Sequence, residues 1–155
     1  MSQPRGPGAP HTPTVPADDE RPLRLLERAD VSEDHRARLA QVVQVAQAAA
    51  RDAAEELQSE FGKEHVALIV CCNQFVRLFR AGAQPGAVEL LLDAGPKDAL
   101  AQGGFRLRDP DGMVFKLFGW VRVDPMEGDA KALGDAVRAA FDKARTSGKP
   151  SLAKA

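Results

Sequence analysis

The chain has 155 residues, 44% of them apolar and 28% charged, the profile of one soluble globular domain plus tails. Its 21 basic residues offset 22 acidic ones, which excludes a dedicated DNA-coating protein, and no stretch approaches the roughly 18 apolar residues of a membrane span. The charge is uneven along the chain: residues 1–62 hold 7 basic and 11 acidic side chains, whereas residues 63–155 hold 14 and 11.

Pro4, Pro7, Pro10, Pro13 and Pro16 recur every third residue among Gly, Ala and Thr, the period of a polyproline II segment without internal hydrogen bonds. Residues 1–30 are therefore expected to be a disordered tail, a single domain is expected over 31–146, and 147–155 are expected to fray. No apolar signal-peptide core is present at the N-terminus, so the expected compartment is the cytoplasm.

Ser32 has the chemistry of a helix N-cap, with Glu33 and Asp34 adding negative charge to the first turn and Gly62 as a stop. Between them Leu39, Val43, Ala46, Ala50, Ala53, Leu57 and Phe61 step by four and three, drawing one apolar stripe along a helix. Such a helix would be about 40 Å long, more than a small sheet needs. Its small residues suit close approach of another helix, so Val43, Ala46, Ala50, Ala53 and Leu57 are a candidate interface.

Residues 64–72 form a nearly continuous apolar run, expected to be a buried strand that ends at Cys71 and Cys72. Asn73-Gln74 is expected to turn the chain into a second strand over 75–80, and loop chemistry at 81–86 precedes a third over 87–93. Gly95-Pro96 opens a short helix and Gly103-Gly104 closes it.

Asp109-Pro110-Asp111-Gly112 fits a type I turn followed by a left-handed glycine. That register pairs Leu107 with Phe115 and Phe105 with Leu117, and it sorts the hairpin into two faces. One carries Phe105, Leu107, Met113, Phe115, Leu117, Val121 and Val123. On the other are Arg106, Arg108, Lys116, Phe118, Trp120 and Arg122, together with Val114. Asp129 then caps a final helix with the stripe Ala130, Leu133, Val137, Phe141 and Ala144. Short connections favour antiparallel pairing, so the expected fold is a two-layer α+β domain: a mostly antiparallel five-stranded sheet with a long N-terminal, a short middle and a C-terminal helix.

Enzyme signatures are sparse. His11, His35 and His65 have no metal-ligand spacing, and there is no tyrosine, phosphate loop or Gly-x-Ser-x-Gly nucleophile elbow. Cys71 and Cys72 read first as buried, inert thiols, with a redox or catalytic role as the lesser alternative, and about 20 Å of extended strand separates them from His65. No enzyme activity, cofactor or metal is expected. The set Arg106, Arg108, Lys116, Phe118, Trp120 and Arg122 is the constellation with functional content, because aromatic rings between cations can stack on bases while the cations hold phosphates. Two other readings stay open: the long helix covers Phe118 and Trp120, or the face meets a protein partner or a second copy of the chain.

The order of elements over residues 60–145, with Trp120-Val-Arg-Val-Asp-Pro125 leading into the helix Leu133–Ala144, resembles the N-terminal domain of TfoX/Sxy-type proteins and the MmcQ/YjbR-like domains. The Met-Phe-Gly-Gly segment of the former is absent. The resemblance implies a non-enzymatic regulatory or adaptor module that acts through protein contact or self-association, with a nucleic-acid-associated role as the alternative.

Overall fold

The computed structural model describes residues 32–61, 65–79, 87–92, 94–110 and 113–154. The Pro-rich tail 1–30, the stop at Gly62, the loop 81–86 and the pair Asp111-Gly112 lie outside them. Among the described residues nine elements follow in order: α1 (Glu33–Ala53), β1 (Gln58–Phe61), β2 (His65–Val70), β3 (Asn73–Phe79), β4 (Val88–Leu91), α2 (Ala94–Gln102), α3 (Met113–Leu117), β5 (Trp120–Val123) and α4 (Ala130–Lys154). The five strands form one antiparallel sheet in sequential order, so each strand hydrogen-bonds to its neighbours along the chain. The α+β class and helix placement agree with the sequence reading; two of the element identities do not.

At α1 the N-cap forms as read. Ser32 Oγ accepts from the His35 backbone N–H at 3.1 Å and also contacts the His35 ring Nδ1 at 2.9 Å, satisfying one of the helix's orphan donors. The helix stops well before Gly62, at Ala54, which adopts a left-handed conformation with φ 56° and ψ 40°. There Glu55 N–H reaches Ala50 O at 2.9 Å and Ala54 N–H reaches Arg51 O at 3.1 Å, a C-cap that glycine usually supplies. Residues 58–61, expected to be helical, instead pair with β2 as an edge strand. Sheet hydrogen bonding overrides the helical spacing of Leu57 and Phe61. At 21 residues α1 is about 30 Å long, and the surplus length that suggested a free stripe is gone.

One face of the sheet holds the apolar core. Val66, Leu68, Val70, Phe75, Val76, Leu78, Val88, Leu90, Val121 and Val123 meet Leu133, Val137, Phe141 and Ala144 of α4. Phe75 and Phe141 pack edge to face with centroids 5.4 Å apart, a favoured aromatic geometry. Helix α1 runs parallel to α4, tied to it by Gln41 Nε2 donating to Ala130 O at 3.1 Å near one end and by the Arg138–Asp52 ion pair near the other. Asp129 caps α4 by accepting from Ala132 N–H at 3.0 Å. The helix is assigned to Lys154.

One glycine is needed for close approach. A Cβ on Gly128 would sit 2.6 Å from both Gly103 O and the Phe105 ring, so only hydrogen fits where the turn before α4 crosses the end of α2.

The expected hairpin over 105–123 does not form. Met113–Leu117 is a one-turn helix, and Gly119, at φ 91°, redirects the chain into β5, which pairs with β4. Of the 105–109 arm only Arg108 bridges β5, exchanging backbone hydrogen bonds of 2.9 Å with Arg122. The pairs Leu107–Phe115 and Phe105–Leu117 are therefore absent. Phe105 remains buried, but Leu117 is 75% exposed. A five-residue run with alternating apolar residues fits a strand and a helical turn equally well, and here the free edge of β5 is met by Arg108 alone.

Candidate functional site

The register places one residue from each strand in a row across the sheet face opposite α1 and α4: Glu60, Ala67, Arg77, Glu89 and Arg122, with Arg108 bridged beyond. Cross-strand partners share a face, so the charges at 77, 89 and 122 are neighbours by construction. Glu89 is fully buried, and each of its oxygens takes one arginine. Arg77 Nη1 lies 3.3 Å from Oε1; Arg122 donates to Oε2 from Nε at 2.9 Å, with Nη2 at 2.6 Å. A buried carboxylate without such partners would be costly.

Helix α3 lies over this row. Arg77 Cζ sits 4.4 Å from the centre of the Phe115 ring, and Phe115 meets Trp120 edge to face at 5.3 Å, contacts that order the guanidinium and both rings. His65, at the start of β2, has its Nε2 3.5 Å from Arg77 Nη2. Arginine can only donate, so this nitrogen is the acceptor and the proton of the neutral ring is on Nδ1. Burial, reinforced by the Arg77 charge, holds the His65 pKa below the usual imidazole value.

Beside the aromatic pair is a cleft of about 560 Å³ lined by Leu91, Phe115, Phe118 and Trp120, with Asn73, Gln74 and Lys143 as its polar members. That size falls within the usual range of ligand pockets. Of its lining, Phe118 is 67% accessible, and Leu117, its neighbour in the chain, is 75% accessible; these are the two exposed large hydrophobic side chains among the described residues.

The structure distributes the predicted cationic and aromatic set over different environments. Trp120 and Arg122 are each only 6% exposed. Arg108 is paired with Glu127 at 2.8 Å, and Lys116 with Asp109 at 3.2 Å; Arg106 and Phe118 are exposed. The stacking platform on β5 is therefore not assembled, because α3 and the charged row enclose Trp120. Nor does the long helix cover Trp120 and Phe118, since α1 packs on the other side of the sheet. Arg108 and Glu127 reinforce each other: their mutual hydrogen bonding raises the arginine's pKa and, with the Arg106 N–H, lowers the carboxyl's.

The second predicted surface is also consumed. Val43, Ala46 and Ala50 are buried, Leu57 is buried beyond the helix end, and Ala53 packs against the same core. These residues hold α1 against the chain's own interior, leaving Asp34, Gln44, Arg51 and Asp52 on its outer side. The small residues do serve close helix packing, but the partner helix is α4.

Cys71 and Cys72 correct a third expectation. They form the two-residue turn of the β2–β3 hairpin, with Val70 opposite Asn73, and both are left-handed, at φ 51° and 69°. A turn with positive φ at both central positions is of the I′ kind, which matches the twist of a hairpin. Cys71 is partly buried, its Sγ 3.5 Å from Glu55 Oε1, and Cys72 is exposed. Asn73 donates from Nδ2 to Cys71 O and Ala144 O, both at 3.2 Å, tying the turn to α4. The sequence reading placed the turn two residues later because Asn-Gln has better turn chemistry than Cys-Cys.

Glu89 and Arg77 escaped the sequence reading. Their signal was one charged residue between branched apolar neighbours in three strands: Val88-Glu89-Leu90, Val76-Arg77-Leu78 and Val121-Arg122-Val123. Among the described residues no cluster of three or more metal-ligating side chains occurs, and no helix is long and apolar enough to cross a membrane. Comparison with protein families, curated proteins and solved structures finds no match for this chain.

Proposed function

We propose that the protein is a non-enzymatic regulatory or adaptor module that acts by protein contact, and that its partner is a second copy of the same chain. One observation carries this reading: Phe118, which lines an aromatic cleft, and Leu117, next to it in the chain, are both exposed. A two-fold contact requires a self-complementary surface, and a protruding apolar pair beside an apolar hollow supplies both halves. The formal net charge of −1 leaves little long-range repulsion between copies. The resemblance of residues 60–145 to TfoX/Sxy-type and YjbR-like domains supports the same non-enzymatic assignment, as part of this proposal.

Sedimentation equilibrium over a wide concentration range tests it. Wild-type protein should dimerise, and the double variant Leu117→Ser/Phe118→Ser should remain monomeric with an unchanged thermal transition, because both side chains are exposed in the single chain. A wild type that stays monomeric throughout, or a double variant that dimerises equally well, would overturn it.

A further inference from the structure

We infer that Cys71 and Cys72 form a redox couple that interconverts between a dithiol and a vicinal disulfide by exchange with low-molecular-weight disulfides. Three observations carry this. First, the pair occupies both central positions of the hairpin turn at positive φ, where Gly, Asn or Asp would be accommodated more easily. Two cysteines on such strained backbone point to a use for them. Second, their environments differ in the way an attacking and a resolving thiol require: Cys72 is exposed, whereas Cys71 is partly buried. Third, the Cys71 thiol faces the Glu55 carboxylate at 3.5 Å, an acceptor for the proton that Cys71 must lose.

The chemistry balances without another reagent. The Cys72 thiolate attacks one sulfur of the small disulfide, forming a mixed disulfide and expelling one thiolate, which takes up the proton Cys72 has lost. Cys71 Sγ then attacks Cys72 Sγ and expels the second thiolate; its proton passes to Glu55 and on to the leaving group. Two protein thiols are oxidised to one disulfide, and one small disulfide is reduced to two thiols. Adjacent Cα atoms are about 3.8 Å apart, closer than the roughly 4.4–6.8 Å of an ordinary disulfide, and a bond under that constraint is readily reduced. The couple is therefore reversible. Because Asn73 ties the Cys71 carbonyl to α4 and also lines the aromatic cleft, the hairpin apex adjoins the surface described above, although the redox chemistry does not depend on that surface.

The test is intact-mass analysis of the folded, full-length protein after incubation with glutathione disulfide. Wild type should lose two hydrogens, retain no glutathione and return to its starting mass with dithiothreitol. The variant Cys71→Ser should trap one glutathione on Cys72, and Cys72→Ser should react about tenfold more slowly, because access limits Cys71. A wild type that keeps a glutathione adduct, forms a disulfide-linked dimer or remains fully reduced would overturn the inference.

Discussion

The two faces of the sheet are built from the same alternation of side chains and end in opposite chemistry. Towards α1 and α4 strands β2 to β5 contribute Val, Leu or Phe to one continuous apolar core. Towards α3 strands β3, β4 and β5 present Arg77, Glu89 and Arg122, with Phe115 over Arg77 and packed on Trp120. The first face is stabilised by burial, which is non-directional and tolerant of modest repacking. The second depends on each charge finding its partner, so its stability is concentrated in a few specific contacts.

Substitutions that sharpen this contrast should fall in a definite order. On the helix face Phe141→Ala should cost about 3–5 kcal/mol, since the ring is buried in the core against Phe75. Glu89→Ala should cost about as much, roughly 3–5 kcal/mol, although it removes far fewer apolar contacts, because it takes a buried carboxylate away from two arginines. Urea denaturation measures both; a Glu89→Ala loss below about 1 kcal/mol, the level of an exposed pair, would break the comparison. Phe115→Ala should cost only roughly 1–2 kcal/mol, the value of its contacts with Trp120 and Arg77 at a half-buried site.

A smaller change lies outside both faces. Ala54→Gly should stabilise the protein by up to about 1 kcal/mol, because glycine takes the left-handed cap without a Cβ penalty. A rise in the melting temperature is the expected readout. The smallest effect is the pH response of the second face. The folded state holds the His65 pKa below its ordinary value of 6.5, so the unfolded chain binds the proton more readily. Its stabilising contribution is then present above about pH 6.5 and is lost as pH falls through the lower folded value. His65→Gln should flatten that part of the stability profile, measured by denaturation at several pH values.

Much of the helix face was legible in the sequence. The steps at Leu39, Val43, Ala46 and Ala50 and at Leu133, Val137 and Phe141 mark buried stripes, and Ser32 and Asp129 cap their helices as their side-chain oxygens suggest. The second face was not, for identifiable physical reasons. Residues 58–61 match helical spacing but join the sheet edge, and 113–117 alternate like a strand but wind into one turn. Both are short segments, in which tertiary hydrogen bonding outweighs local preference. Assigning 105–117 to a hairpin grouped Arg106, Arg108, Lys116, Phe118, Trp120 and Arg122 on one surface. Arg122 and Trp120 do share the β5 face, but their partners come from β3, β4 and α3, a juxtaposition that only the full register reveals. Likewise, the left-handed turn conformation of Cys71 and Cys72 is visible only once the hairpin turn is located on them.

The account depends most directly on the enclosure of Trp120 behind Phe115 and the charged row, which separates an internal charged face from an external aromatic platform. Trp120 is the only tryptophan in the chain, so acrylamide quenching of its fluorescence reports on that site alone. The structure predicts strong protection in the native protein, with access rising sharply in urea, since the residue is 6% exposed. Quenching of the native protein as efficient as that of the unfolded chain would contradict it.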